Sequence, residues 1–411
     1  MTVLAQDWMP RARHLADQLV AAGKLRSAAW WDAVCAVPRH EFVPDVFRQE
    51  FAYDATWHRL DTATKQGRRQ WLDRVYSNTA LITALAETPE LTTSRSSSSM
   101  PGLMTRMLET LDIHDGHRVL EIGTGTGYNA GLLTHRLGDA DVFSVDIEPD
   151  LVDLARQRLA RLGYHPTLVA ADGADGLPDH APFDRIIATC AVPAVPWAWV
   201  TQTRPGGVIL TDFKPTLGAG SLVRLTRHAD RAEGRFDPTY AGFMGVRHHP
   251  ASQDPVRRRP TRNRSLAPEH RITTLDPRTP WESLVVWFLA GFDLGADISL
   301  GYCRFEDGKP TATSITVGDG SWAEVTLATA DGVYQVAEAG PRRVWRIIEN
   351  AHALWNTLES PGWDRFGLTV TEDHQHVWLD TPTSSHTWPL PPAPASDAPG
   401  NPDSSTATPR S

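Results

Sequence analysis

The 411-residue chain is 41% hydrophobic and carries a formal net charge of -9. That is enough apolar content for two domains with cores of their own, and too negative a balance for a nucleic-acid substrate. Three well-separated cysteines, Cys35, Cys190 and Cys303, without C-x-x-C pairing, disfavour a disulfide framework or a structural metal. No charged-then-apolar leader follows Met1 and no apolar run reaches spanning length, so a soluble, cytoplasmic protein without membrane contact is expected.

Residues 1–75 read as a helical cap. RHLADQLVAAG places Leu15, Leu19 and Val20 on one side and stops at Gly23, and AAWWDAVCAV continues with Trp30, Trp31, Val34 and Cys35. An insertion between Arg48 and Asp73, with Trp57, His58 and Trp71, has no assignable pattern; a cover over an acceptor site is one role for it. Composition alone makes the serine run Ser96–Ser99 a flexible linker ahead of the helix MTRMLETL.

VLEIGTGTGY, Val119 to Tyr128, reads as a buried strand, a loop with glycine at 123, 125 and 127, and the start of a helix. Glycines there let the backbone pass close to a ligand, and the helix offers free N–H groups. A dinucleotide fingerprint wants G-x-G-x-x-G, but here the third glycine comes one residue early and Tyr128 takes its place. Glu121 precedes the first glycine, where an acid suits the cationic amine of an amino-acid ligand and repels a pyrophosphate. Both details favour S-adenosylmethionine over NAD.

DVFSVDIEPDLVDLARQRLARLGY reads as a second strand ending at Asp146, then a helix with Leu151, Leu154, Ala155 and Leu159 on one face. An acid about twenty residues past the glycines suits a ribose hydroxyl pair. A third strand ends in Asp172-Gly173, where a carboxylate and bare backbone could meet an adenine amino group. Each aspartate is equally readable as a helix or turn cap, yet ligands bind at such strand ends in open parallel sheets. Strands Arg185–Cys190 and Val208–Leu210 follow, the latter after Gly206-Gly207. TCAVP after the fourth strand lacks the Asn/Asp-Pro-Pro-aromatic run of adenine and glutamine N-methyltransferases, so an oxygen nucleophile is expected.

Residues 247–279 form a basic, Pro-rich stretch with Arg257, Arg258, Arg259, Arg262 and Arg264, read as a solvated linker or as an attractor for an acidic peptide. His248-His249 lacks partners at metal spacing and reads as surface loop. A separate α+β unit is expected over 280–388, with WESLVVWFLAGF buried and PRRVWRIIENAHALWNTLES amphipathic. Eight of the fifteen tryptophans fall there, as core or as a peptide-binding surface. Residues 389–411 read as a disordered tail.

AVPRHEFVP at Ala36, VLEIGTGTGY at Val119, DG at Asp172, PFD at Pro182 and RPGG at Arg204 together resemble the protein-L-isoaspartate O-methyltransferase family over roughly Leu15 to Leu210. The resemblance implies an α/β fold, with a Rossmann-like methyltransferase sheet over 76–246, and methyl transfer from S-adenosylmethionine to a carboxylate. It assigns the cofactor to Glu121, Gly123, Thr124, Gly125, Gly127, Tyr128, Asn129, Asp146, Ile147, Asp172 and Gly173. The family's Thr-Ile-Ser-x-Pro segment is SSSSMPG here. Counting back from Glu109, that puts Ser99 at the acceptor carboxylate, with Ser97, Ser98, Met100, Pro101 and Val192 as further substrate contacts.

SSSSMPG, VYSNTALIT and the long C-terminal extension look like a group of methyltransferases that act beside ATP-grasp ligases on ribosomally made precursor peptides. For that group the resemblance implies an ordinary aspartate as target, a methyl ester that can close to an aspartimide, and the ligase and precursor as partners. General isoaspartate repair is the nearest alternative; a non-catalytic, cofactor-binding peptide scaffold is the second.

Overall fold

A computed structural model describes residues 2–49, 56–87, 92–250, 260–263, 265–329 and 331–390. Its centre is a ten-stranded sheet. Five strands, Val119–Ile122, Val142–Asp146, Thr167–Ala170, Phe183–Val192 and Thr203–Thr216, are paired in parallel, with Val119–Ile122 between Val142–Asp146 and Phe183–Val192. Buried residues fill the first two strands throughout, as a parallel sheet covered on both faces demands. Helices Tyr128–Leu137 and Pro149–Arg161 make the crossovers. In the second, Val152 is buried while Leu154 is 40% exposed, so the apolar stripe runs through Leu151, Val152, Ala155 and Leu159 instead of Leu154.

The sheet does not end at the methyltransferase unit. Ala219–Arg227 and Ala232–Phe236 extend it antiparallel, and Phe366–Val370, Gln375–Leu379 and Thr387–Leu390 add on beyond them. The expected separate C-terminal unit therefore shares a sheet with the rest of the chain. It also shares a core. Helix Leu284–Leu294 lies within one continuous apolar cluster that includes Ile209, Phe213 and Val223 of the central sheet and Ile315, Val325 and Val336. An isolated eleven-residue helix is marginal in water. Burial of Val286, Trp287, Phe288 and Leu289, at about 2 kcal/mol for each large side chain, is what holds it.

A five-stranded antiparallel sheet, in the order Glu269–Thr273, Tyr334–Ala339, Trp322–Thr326, Lys309–Val317, Ile298–Glu306, completes this half. Its first strand lies inside the stretch expected as linker, because Arg271 reaches Glu338 at 2.7 Å and Glu349 at 2.9 Å. Arg262, also expected on a solvated linker, stacks over Trp322 at 3.4 Å and bonds Glu324 at 2.6 Å. Arg257, Arg258, Arg259 and Arg264 lie outside the described residues. Trp287, Trp322 and Trp345 are fully buried, so these tryptophans serve as core. Of the expected tail, Pro389 and Leu390 belong to the last strand and 391–411 lie outside the described residues.

The N-terminal part is helical over Thr2–Ala21, Ala28–Ala36, Arg39–Phe42 and Lys65–Val75, but it is not a purely helical cap. Phe47–Gln49 and Trp57–Arg59 pair with each other, and with Leu81–Glu87 and Thr92–Ser98 they form a four-stranded antiparallel sheet. Val20 is 49% exposed; Leu15 and Leu19 with Ala12 and Ala16 form the buried face. The serine run is strand, not linker: Ser97 pairs with Ile82 and Ser98 with Leu81. Among the described residues, no helix is long and apolar enough to cross a membrane.

Candidate active site

A cavity of about 890 Å³ opens at the C-terminal ends of the parallel strands, within the range of small-molecule and cofactor sites. One wall is the glycine loop. Gly123, Gly125 and Gly127 have φ of 97°, 51° and 87°, a region where side chains are strained. A Cβ on Gly123 would stand 2.7 Å from Thr189 Oγ1, and one on Gly127 2.9 Å from the Ala155 Cβ. The loop thus has to be glycine for the backbone to lie this close to its neighbours.

Glu121 is fully buried beneath that loop. Ser144 donates to one of its oxygens at 2.6 Å and Asn129 to the other at 2.7 Å; the Ser144 hydroxyl also bonds Thr124 at 2.6 Å. Burial raises the carboxyl to about 7 against the help of those two donors, and the charge of Asp146 pushes the same way. Asp146 ends its strand with one oxygen accepting from the Gly125 N–H at 2.8 Å and the other from Glu148 N–H at 3.1 Å. Burial raises its pKa as well. A buried carboxylate on a cavity wall, with no ion pair among the described residues, fits a ligand that carries an ammonium. The Asn129 Oδ1, buried and without a partner on the same wall, is a second place for a ligand donor. The residues present therefore fit S-adenosylmethionine.

The facing wall is the serine strand. Ser97, Ser98, Ser99 and Met100 line the cavity. Arg39, fully buried, holds this strand from behind: its guanidinium donates to the carbonyls of Val75 (2.7 Å), Ser77 (3.2 Å), Thr79 (3.3 Å) and Ser99 (3.0 Å), and to the Ser98 hydroxyl (3.2 Å). It has no carboxylate partner among the described residues, and burial lowers it to about 10. The Ser98 hydroxyl accepts from Arg39 and keeps its own proton to donate, and that of Ser99 has no side-chain hydrogen bond among the described residues.

Of the residues expected at the site, Ser97, Ser98, Ser99, Met100, Glu121, Gly123, Thr124, Gly125, Tyr128, Asn129, Asp146, Ile147 and Gly173 meet in this one cavity. Pro101, Gly127, Asp172 and Val192 are not on its wall. Pro101 starts the next helix, and Gly127 packs against Ala155. Asp172 caps a turn through Ala174 N–H at 2.8 Å, and its other oxygen bonds His248 Nδ1 at 2.8 Å. His248 is exposed in a bend, as expected of a surface loop, and its bond to Asp172 ties that loop to the end of the third strand.

Sequence reasoning missed a third wall, residues 239–247. Ala191 N–H bonds the Met244 carbonyl at 2.8 Å and Val246 N–H the Ala191 carbonyl at 2.7 Å, which ties this segment to a strand end. Asp212, fully buried, accepts from Lys214 at 2.7 Å and from Phe243 N–H at 2.9 Å; Lys214 also donates to the Ala241 carbonyl at 3.1 Å. Arg247 pairs with Glu148. The alternation of aromatics and glycines in TYAGFMGV is the only local signal, and nothing in it names Ala191 or Asp212 as partners. Cys190 also faces the cavity, but burial pushes its thiol up to about 12, so it remains a poor nucleophile.

Residues 10–235 match the family described as protein-L-isoaspartate(D-aspartate) O-methyltransferase. A protein-L-isoaspartate O-methyltransferase of Methylorubrum extorquens is 34% identical over 248 residues, 60% of this chain and 92% of that protein. One of Hyperthermus butylicus is 32% identical over 213 residues, 49% of this chain and 75% of its own length. A solved structure titled protein-L-isoaspartate O-methyltransferase covers 90% of this chain and 100% of its own with a TM-score of 0.51 at 22% identity, a likeness of fold. The match over residues 10–235, more than half the chain, places it in the protein-L-isoaspartate(D-aspartate) O-methyltransferase family, as an S-adenosylmethionine-dependent carboxyl O-methyltransferase.

Proposed function

We propose that the chain methylates an aspartyl side-chain carboxylate of a ribosomally made, ATP-grasp-modified peptide. The single observation behind an acceptor carboxylate is that the serine strand and the glycine loop wall one cavity, with the Ser99 hydroxyl making no hydrogen bond among the described residues. S-adenosylmethionine supplies a methyl on a sulfonium, which a carboxylate oxygen takes as the sulfur leaves as a thioether. Glu121, Asn129, Asp146 and the loop amides hold the donor, and Ser99 holds the acceptor. A carboxylate with a reference pKa of about 3.9 is already ionised at neutral pH, so no general base is required. The protein contributes alignment and exclusion of water.

The peptide reading is favoured by the strand Thr92–Ser98, where serines stand in place of the family's threonine and aliphatic residue, and by the sheet and core added after residue 235. Isoaspartate repair is the second reading, favoured by the names of the relatives. Mass spectrometry after incubation with S-adenosylmethionine separates them, using an isoaspartyl peptide, its aspartyl twin and a crosslinked precursor. Methyl gain or water loss on the precursor alone supports peptide maturation. Turnover of the isoaspartyl peptide alone supports repair, and cofactor binding without turnover supports a scaffold. Ser99→Ala should lower kcat/KM by about tenfold, the worth of one hydrogen bond to a charged group. Steady-state kinetics at full wild-type activity would remove Ser99 from its role.

A further inference from the structure

The cavity wall carries four cations and two carboxylates. Glu121 and Asp146 both belong to the glycine-loop side. Arg95 and Arg247, at the same end, share Glu148, and Arg95 also pairs with Asp150. Lys24 and Arg106 remain. Lys24 has no ion pair or side-chain hydrogen bond among the described residues. Arg106 donates to the Tyr240 carbonyl at 3.3 Å and forms a long ion pair with Asp237 at 3.7 Å, and its buried Nε has no hydrogen-bond partner among the described residues.

These two cations belong to the acceptor side. Helix Pro101–Thr110 follows the serine strand directly and puts Gly102 and Arg106 one turn apart on the cavity. Glu109, on the same face, accepts from Arg26 N–H and Ser27 N–H at 2.7 Å each, which fastens the Lys24 loop alongside that helix. Asn78 completes this end and bonds Gly102 N–H at 2.7 Å.

We propose that Lys24 and Arg106 form an anion subsite that docks a second carboxylate of the acceptor, an acidic side chain flanking the residue that is methylated. The subsite rests on the carboxyl-methylation reading and deepens it, since it makes an acidic peptide the preferred substrate. It locates that preference inside the cavity rather than in the basic stretch 247–279, whose described arginines Arg247, Arg262, Arg271 and Arg278 are all engaged by carboxylates of the fold. A partly enclosed charge pair is worth more than an exposed one and is weakened by salt.

The test compares binding of two fluorescent acceptor peptides, amidated at the C-terminus, with either Glu or Gln beside the acceptor residue. Fluorescence anisotropy is read at low and high salt with the full chain, alongside methyl transfer. The Glu peptide should bind about tenfold tighter at low salt, the preference shrinking as salt rises. Lys24→Glu should abolish or reverse the preference, and Arg106→Gln should reduce it. Lys24 makes no ion pair or side-chain hydrogen bond among the described residues, so its variant tests the idea even if Arg106→Gln weakens the Tyr240 segment. Equal binding of both peptides by the wild-type chain, or a preference unchanged in Lys24→Glu, overturns the subsite. Absence of methyl transfer with the binding preference intact overturns the functional reading and leaves the subsite standing.

Discussion

Arg39→Met should cost about 3 kcal/mol or more of folding stability. A buried carbonyl left without its donor costs about 1–3 kcal/mol, and Arg39 serves those of Val75, Ser77, Thr79 and Ser99. Relief of an unpaired buried charge offsets part of that sum. Arg39→Lys should recover only a fraction, because an ammonium has three donors and no planar fork. Urea denaturation measures both, and a loss under about 1 kcal/mol for the Met variant would show that the serine strand does not depend on this guanidinium. Since Arg39 also fixes the Ser98 hydroxyl, residual enzyme should show a raised KM for peptide with smaller change for cofactor.

Cofactor affinity should rise as pH increases through about 7, where Glu121 ionises in the free protein. If Glu121 holds the cofactor's ammonium, that cation would pair with the carboxylate form, and binding below that pH would have to expel a proton. Calorimetry at pH 6 and pH 8 in buffers of different ionisation enthalpy, on the order of the range bracketing this value, should show proton release at the lower pH and little at the higher. Glu121→Gln should flatten the profile and weaken binding by tenfold to a hundredfold, as expected of about 1.5–3 kcal/mol for a charged hydrogen bond. A pH-independent affinity in the wild-type chain would separate Glu121 from the ammonium. Stability of the free protein carries the opposite sign. The folded carboxyl titrates near 7 against a reference of 4.5, so its contribution is full below 4.5 and is lost as pH rises through about 7.

The donor half of the site was legible because its signals are local. A short apolar strand, glycines whose φ is positive and an acid at the next strand end are each written in consecutive residues. The serine segment was legible as part of the cavity only by its position before MTRMLETL, since composition alone makes Ser96–Ser99 a linker; pairing with Leu81–Glu87 makes it a strand. Residues 239–247 and the contribution of His248 rest on contacts with Ala191, Asp212 and Asp172, which no spacing announces. For the same reason the C-terminal strands looked like a separate unit. Phe366–Val370 pairs with Ala232–Phe236 across more than a hundred residues, and alternation identifies a strand without naming its neighbour.

The central claim is that one cavity seats both an S-adenosylmethionine methyl and a peptide carboxylate. Its most direct measurement is the mass of whichever peptide is turned over, the crosslinked precursor, an aspartyl peptide or an isoaspartyl peptide, before and after mild base. A single methyl increment that base removes with release of methanol is the expected result, because a carboxylate oxygen is the nucleophile and the product an ester. A methyl that survives base, marking nitrogen or sulfur as the acceptor, would contradict the account.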